Sequence, residues 1–131
     1  MVFWDVEFDE AVFEWLTGLE EESFVQVRAA INMLRDRGPQ LGRPLVDTVT
    51  GSRHKNMKEL RPGSAGRSEL RVLFAFDPAR SAILLVGGDK AGRWQDWYRS
   101  AIPLADDRYD SHLEALKKKH DDGGAGTGGE R

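Results

Sequence analysis

The spacing of apolar residues changes twice along this chain, and that change limits the fold more than any other feature. Apolar residues alternate over 2–8, recur at intervals of three and four over 12–34, and alternate again over 70–86. Alternation is typical of a strand with one buried face, whereas the wider spacing is typical of an amphipathic helix. The chain is therefore predicted to be an α+β domain that opens with a strand and a helical hairpin.

The ends of the two helices are indicated by glycine and proline. The first helix is predicted to begin after Asp9 and to end at Gly18, and the second is predicted to end at Gly38-Pro39. Residues 39–55 show little periodicity and are predicted to form a long connecting loop. Loops of this length in compact domains are often functional.

The second half of the chain is predicted to contribute an antiparallel meander and a helix. Strands are expected over 56–62, 70–76 and 81–86. A last helical region begins near Arg93, and Pro103 is predicted to break it or to start it afresh. We expect the helices to cover one face of a sheet of three to four antiparallel strands.

Length and composition fit one domain. The chain has 131 residues, of which 40% are hydrophobic and 31% charged, and single domains commonly have about 100–150 residues. We assign residues 1–120 to this domain. Residues 121–131 contain five glycines and nothing apolar to bury except one alanine, so they are predicted to form a disordered tail.

Several classes of site and location are excluded by residue content. The chain has no cysteine and three scattered histidines, so we predict no disulfide, no metal site and no cofactor. Its first residues are acidic rather than basic, which argues against a secretory signal. The longest apolar run, residues 82–86, is far shorter than the roughly 20 residues that a membrane span needs. We therefore expect a cytoplasmic protein that does not contact the membrane.

Charge is divided unevenly along the chain. Residues 1–27 hold eight acidic and no basic side chains, whereas residues 53–99 hold ten Lys or Arg against five Asp or Glu. The net charge is only −3. A basic stripe in an acidic protein suits the recognition of phosphate at one site better than the general coating of nucleic acid.

Three segments of this basic region, taken together and in order, resemble a known family. Residues 51–61, 70–78 and 87–90 are similar to the phage-derived HigB-like branch of the RelE/ParE superfamily, and the resemblance extends over roughly 1–118. It implies a RelE-like fold and the toxin of a type II toxin–antitoxin system. Similar proteins are ribosome-dependent mRNA interferases that use a strand-borne basic cluster in place of a metal. Their partners are a helix-turn-helix antitoxin, with which a hetero-oligomer is expected, and mRNA on the ribosome.

The chemistry of such a reaction selects candidate catalytic residues. Cleaving RNA without a metal requires a base at the 2′-hydroxyl, cations on the phosphoryl oxygens and an acid at the leaving 5′-oxygen. Arg61 and Arg71 carry planar forks suited to phosphate and cannot act as bases. Lys58 or Lys90 could be the base. The general acid is left open, and the candidates for that role or for RNA binding are Arg53, Arg93, Tyr98, Tyr109 and His112.

Strand geometry constrains how these residues meet. Lys58 and Leu60 should share one face of their strand while Glu59 and Arg61 share the other, so twist or a bend must bring the two basic side chains together. Arg71 should project from the sheet face opposite the aromatic core, where it could meet RNA, and its truncation is expected to leave the fold intact. Glu59 is expected to fix an arginine in a salt bridge rather than to act as a catalyst.

Three functions of different classes are compatible with these features. The basic set favours an mRNA endoribonuclease. ParE proteins of the same superfamily keep the fold and inhibit DNA gyrase without cutting RNA, so a gyrase inhibitor is the second reading. A non-catalytic interaction module is the third.

Overall fold

The structure is a computed structural model that describes residues 3–63 and 66–129, with only the backbone described for 120–129. One sheet of five strands lies between helices on both of its faces. The elements, in chain order, are β1 (Asp5–Phe8), α1 (Glu10–Thr17), α2 (Glu21–Arg37), a 3₁₀ turn (Gly38–Gln40), β2 (Val46–Thr48), β3 (Lys58–Leu60), β4 (Leu70–Phe76), β5 (Ser81–Asp89) and α3 (Trp94–Gly129).

The strands lie in the order β1-β5-β4-β3-β2. Strand β1 runs parallel to β5, and the other neighbours are antiparallel. The predicted α+β class, the opening strand and hairpin and the meander β3-β4-β5 are confirmed. Strand β2 lies inside the segment that the sequence predicts as loop, because three residues at a sheet edge leave almost no periodicity to detect.

Helices cover both faces of the sheet, which corrects the expectation of one covered face. Val72 and Phe74 of β4 face the cluster formed with α1 and α2. Leu73 and Ala75 face the cluster formed with α3. A strand that is apolar on both faces is typical of a sheet buried on both sides. The continuous apolar run of β4 therefore already indicates that both faces of the sheet are covered.

Two adjacent glycines let a tryptophan approach the sheet on each side. A Cβ atom added at Gly87 would lie 2.3 Å from the Trp15 ring, and one added at Gly88 would lie 2.3 Å from Nε1 of Trp97. Because Gly88 pairs with Arg71 across β4 and β5, the close packing of Trp97 sets the first turns of α3 against the part of β4 that holds Arg71.

Helix α3 departs from the sequence expectations at two points. It continues through Pro103, where the sequence predicts a break or a fresh start. On either side of the proline, α3 buries Trp97, Ala101 and Ala105 against the sheet. This packing offsets the loss of the backbone hydrogen bond that a proline cannot make. Its backbone also remains helical over 121–129, where the sequence predicts a disordered tail. The side chains of 120–129 lie outside the described residues, so the tail stays a prediction.

Candidate functional site

A buried carboxylate, Glu59, is the centre of a polar cluster between the sheet and α3. Glu59 is 4% exposed. Its carboxylate accepts a hydrogen bond from Arg61 Nε at 2.8 Å and another from the hydroxyl of Tyr98. Arg71 Nε lies 3.9 Å from Glu59 Oε1. We refer to Glu59, Arg61, Arg71 and Tyr98 as the Glu59 cluster, and the expected salt bridge between Glu59 and an arginine is confirmed.

Strand alternation explains why these side chains meet. Glu59 and Arg61 are two residues apart and therefore lie on the same face of the sheet. Glu59 pairs with Leu73 of β4, and Arg71 precedes Leu73 by two residues on that same face. Tyr98 follows Trp97, whose ring packs on Gly88. The cluster is thus assembled from β3, β4 and α3.

Arg61 is held from two sides by carboxylates. Its Nη2 lies 3.3 Å from Oδ2 of Asp47, which also pairs with Arg43 at 3.2 Å. The hydrogen bond to Glu59 raises the pKa of the Arg61 guanidinium, with smaller contributions from the charges of Glu59 and Asp47. The backbone N–H of Thr48 and the Arg43 side chain lower the pKa of the Asp47 carboxyl. The sequence does not single out Asp47, because β2 lies inside the segment that it predicts as loop.

Arg71 is less accessible than the sequence predicts. Its side chain is only 15% exposed, because α3 covers the sheet face from which it projects. Its Nη1 donates to the Leu70 carbonyl at 2.7 Å. Its Nε is buried without a hydrogen-bond partner among the residues that the structure describes. The expectation of an exposed Arg71 is therefore wrong, because most of its side chain is buried, close to Tyr98.

The hydroxyl of Tyr98 donates a hydrogen bond to the buried carboxylate of Glu59. Burial raises the pKa of its hydroxyl, and the hydrogen bond to the Glu59 carboxylate raises it further, to about 12, although the Arg71 guanidinium acts in the opposite direction. The hydroxyl therefore stays protonated at neutral pH, which is the form a general acid needs. Lys90 approaches from β5, with Nζ 6.0 Å from the centroid of the Tyr98 ring and 3.8 Å from Glu69.

A cavity of about 360 Å³ opens beside the Glu59 cluster. It lies between β2 with the residues that follow it and the first turns of α3. Its lining combines charged groups at one end with an apolar wall, and consists of Asp47, Thr48, Val49, Thr50, Glu59, Arg61, Trp94, Tyr98 and Ile102. An anion that entered this cavity would meet the Arg61 guanidinium together with the carboxylates of Asp47 and Glu59 that pair with it.

Lys58 and Arg93 do not join the Glu59 cluster. Lys58 points to the opposite sheet face from Glu59, as alternation requires, and its Nζ donates to Thr48 Oγ1 at 3.2 Å. The bend that would have reconciled Lys58 with Arg61 is not present. Arg93 is exposed in the turn before α3, where its carbonyl accepts the hydrogen bond of Trp97 N at 3.0 Å.

Tyr109 and His112 lie farther along α3 and anchor it. Tyr109 is eleven residues after Tyr98, or about 16 Å along the helix axis. Its hydroxyl donates to the Phe76 carbonyl at 3.1 Å, and His112 Nε2 lies 2.7 Å from Asp77 Oδ2. Both contacts fix the β4–β5 turn to α3.

Arg53 fixes the loop that precedes β3. Its guanidinium pairs with Asp107 at 3.1 Å and with Asp110, and these hydrogen bonds raise its pKa. Its backbone N–H donates to the buried carboxylate of Asp106 at 2.9 Å. The structure therefore separates the five acid or RNA-binding candidates, and brings only Tyr98 to the cavity.

Within the described ranges, no group of three or more His, Asp or Glu side chains is arranged to hold a metal ion. No helix in the same part of the chain is both long and apolar enough to span a bilayer.

Comparisons with known proteins agree on one family. A family model described as phage-derived protein Gp49-like matches residues 14–110. Putative toxin HigB2 of Mycobacterium tuberculosis is 62% identical over 104 residues, which are 79% of this chain and 52% of that protein, so the chain spans about half of this relative's length. Putative toxin HigB3 of the same organism is 54% identical over 102 residues, or 78% and 87% of the two chains.

A solved structure supports the fold. A mutant of the Escherichia coli toxin RelE in the free state superposes with a TM-score of 0.57 at 12% identity, over 78% of this chain and 97% of that one. At this identity the likeness concerns the fold alone.

Proposed function

The chain belongs to the phage-derived Gp49-like family, within the HigB-like branch of the RelE superfamily, and from this premise we propose that it is a toxin that cleaves mRNA on the ribosome without a metal. The observation that carries the proposal is the Glu59 cluster at the cavity. It presents an arginine and a protonated tyrosine hydroxyl to the same space.

The proposed step is an in-line transesterification. The 2′-hydroxyl oxygen attacks the adjacent phosphorus, its proton passes to a base, and the bond from phosphorus to the 5′-oxygen breaks. Tyr98 gives its proton to that leaving oxygen, so the products are a 2′,3′-cyclic phosphate and a 5′-hydroxyl end. Arg61 stabilises the charge on the phosphoryl oxygens. Lys90 is the candidate base, since Lys58 lies on the opposite sheet face.

The pairing of the cations explains why the ribosome would be needed. Arg61 is already paired with Glu59 and Asp47, so the cavity offers little uncompensated positive charge to free RNA. Electrostatic attraction to the phosphate backbone supplies most non-specific affinity for nucleic acid. A surface whose positive charges are largely neutralised must therefore receive its RNA in a fixed position from another macromolecule. The decoding site of the ribosome can hold the mRNA in this way.

The proposal includes a protein partner and a compartment. A toxin of this family requires a helix-turn-helix antitoxin that forms a hetero-oligomer with it in the cytoplasm. The antitoxin contact is placed on α1 and α2, which carry most of the exposed acidic residues of 1–27, or across the Glu59 cluster. Co-purification with the product of the neighbouring gene, followed by charge reversal at Arg61, separates these two surfaces. Undiminished binding by that variant removes the cluster from consideration.

The experiment that tests the proposal is 5′-end mapping of transcripts after induction, with and without a translation inhibitor. Two tyrosines of α3 give a matched pair. Tyr98→Phe removes the proposed acid, whereas Tyr109→Phe removes a hydroxyl that donates to the Phe76 carbonyl and does not line the cavity. We expect cuts in translated regions with the parent and with Tyr109→Phe, and none with Tyr98→Phe or with the inhibitor.

Other outcomes would select another function. Intact mRNA together with accumulated cleaved DNA would favour a gyrase inhibitor of the ParE kind. Normal growth with intact mRNA and DNA would favour an interaction module.

A further inference from the structure

The loop between β2 and β3, residues 49–57, is fixed to α3 through a buried carboxylate. Asp106 of α3 is 2% exposed. Its carboxylate accepts one hydrogen bond from the hydroxyl of Ser52 and another from the backbone N–H of Arg53 at 2.9 Å. Among the contacts of the described chain, every polar partner of this side chain belongs to the loop. Asp106 therefore pairs neither with α3 nor with the sheet.

A second carboxylate of α3 continues this attachment. His54 Nε2 lies 2.7 Å from Oδ1 of Asp110, one helical turn after Asp106. The backbone N–H of His54 also donates to the Ser52 hydroxyl oxygen at 2.9 Å, so one hydroxyl joins the turn of the loop to Asp106. We refer to the contacts of Ser52, Arg53 and His54 with Asp106 and Asp110 as the clasp.

The clasp lies at the end of the cavity. Tyr98, Ile102 and Asp106 occur at intervals of four and therefore lie on one face of α3. Tyr98 and Ile102 line the cavity, and Asp106 follows Ile102 by about 6 Å along the helix axis. On the opposite side, Thr50 lines the cavity, and Ser52, two residues on, contacts Asp106. Helix and loop thus run side by side, separated at the cavity and joined at the clasp.

The burial of Asp106 favours one placement of the loop. Burying a carboxylate costs free energy that its hydrogen bonds only offset, so an apolar side chain such as that of the neighbouring, buried Ala105 commonly serves stability as well. The carboxylate adds direction, because it is satisfied only when Ser52 and Arg53 take one position beside α3. The loop that carries the cavity wall is thereby held at a fixed distance from α3.

We propose that Asp106 is a positioning residue that, through the clasp, holds the cavity wall of residues 48–50 at its distance from Tyr98 and Ile102. Asp106 does not itself line the cavity, so it acts through the loop and not on the reacting atoms. Its effect on mRNA cleavage rests on the proposed function, because Tyr98 is the acid of that reaction. The clasp itself can be measured without any activity.

Amide hydrogen exchange at the backbone N–H groups of Arg53 and His54, followed by NMR, reports opening of the clasp. Asp106→Asn removes the charge and one acceptor. Ser52→Ala removes the hydroxyl, and Ser52→Thr retains it. Asp107→Asn is the matched control, since Asp107 also pairs with Arg53, at 3.1 Å, but its side chain is 71% exposed.

Loss of the clasp predicts a local pattern of exchange. In Asp106→Asn, exchange at Arg53 and His54 should become faster by between about 10-fold and 150-fold, the range that one hydrogen bond to a charged group is worth. Ser52→Ala should change it in the same direction, whereas Ser52→Thr and Asp107→Asn should change it by less than about 5-fold. The amide of Gly18, which donates to Glu14 at the end of α1, is the internal reference, because fraying of α1 leaves the clasp closed.

The activity readout uses the same variants at matched expression. The yield of cut mRNA should fall by between about 10-fold and 100-fold in Asp106→Asn and Ser52→Ala, because a misplacement of about 1 Å can cost about 100-fold in rate. Ser52→Thr and Asp107→Asn should cut as the parent does. Recovery with threonine ties the loss to the hydroxyl that Asp106 accepts from.

The outcomes keep the clasp distinct from the proposed function. Equal exchange at Arg53 in the parent, Asp106→Asn and Ser52→Ala overturns the clasp, and so does an equal rise at Gly18, which would show that the whole domain is loosened. Faster exchange with an undiminished yield of cut mRNA overturns the positioning role. A parent that cuts no mRNA removes the proposed function and the positioning role with it, whereas the exchange result still decides the clasp. If Asp106→Asn does not fold, the Ser52→Ala and Ser52→Thr pair decides the same question.

Discussion

Truncation of Arg71 to alanine tests how the buried part of the Glu59 cluster contributes to stability. From the sequence, Arg71 is an exposed residue, and such changes usually alter the free energy of unfolding by no more than about 0.5 kcal/mol. In the structure its side chain is 15% exposed and its Nε lies 3.9 Å from the 5% exposed side chain of Glu59. The two views predict different results for the same variant.

The structure gives a magnitude for the change. Two unit charges 3.9 Å apart attract each other by about 4 kcal/mol at an effective dielectric constant of about 20. Truncation recovers the cost of burying the Arg71 guanidinium, and Glu59 keeps Arg61 and the Tyr98 hydroxyl as partners. The net loss in the free energy of unfolding should therefore be about 1–3 kcal/mol, equivalent to a fall in Tm of roughly 4–12 °C for a domain of this size.

Urea unfolding followed by circular dichroism measures this loss. Adding Glu59→Gln to Arg71→Ala completes a double-mutant cycle, and the two changes should be non-additive by at least about 0.5 kcal/mol because they remove the same ion pair. Arg99→Ala is the control, since this arginine is 79% exposed and pairs only with the exposed Asp96 at 3.7 Å among the contacts of the described chain. Additive changes, or an Arg71→Ala protein as stable as the parent, would refute the argument.

Three further results are expected. The pKa of Tyr98 is raised to about 12 in the folded protein, above its unfolded value near 10, so the stability that this tyrosine contributes is present below about pH 10 and is lost as the pH rises towards 12. The Tm of Tyr98→Phe should therefore fall less than the Tm of the parent between about pH 9.5 and 11.5. Parallel curves of Tm against pH for the two proteins would contradict this. Lys58→Ala should keep its toxicity while Arg61→Ala loses it, measured by growth after induction at matched expression, and the reverse order would place the site on the opposite sheet face. Deletion of residues 121–131 should change neither toxicity nor Tm by more than about 1 °C, and a larger fall in Tm would show that this segment packs on the domain.

The fold was largely predictable because its signals are local. Alternation over 70–76 and helical spacing over 12–34 are consequences of the side-chain periods of strands and helices, and they hold wherever the elements are placed. Strand β2 was missed because an edge strand of three residues is defined by its pairing with β3 rather than by its own sequence. The uninterrupted course of α3 through Pro103 depends likewise on packing against the sheet.

The candidate site was predictable only in part. Arg61, Arg71, Lys90 and Tyr98 were selected from the chemistry of RNA cleavage, and they do lie near one another. The sequence could not exclude Lys58, although strand alternation places its side chain on the sheet face opposite Glu59. Nor could it show that Arg53, Tyr109 and His112 anchor α3 and its neighbouring loops, since all three residue types suit catalysis equally well.

The sequence by itself determined the α+β class, the order of the main elements, the concentration of basic residues over 53–99 and the family resemblance. These properties follow from residue types and spacings that lie within a few positions of one another. Only the tertiary structure decided which charges are neutralised, that Asp47 and Glu59 hold Arg61, and that Trp94 is exposed while Trp97 is buried. Burial and pairing depend on residues that are distant in the chain, and no local pattern records which sheet face a helix will cover.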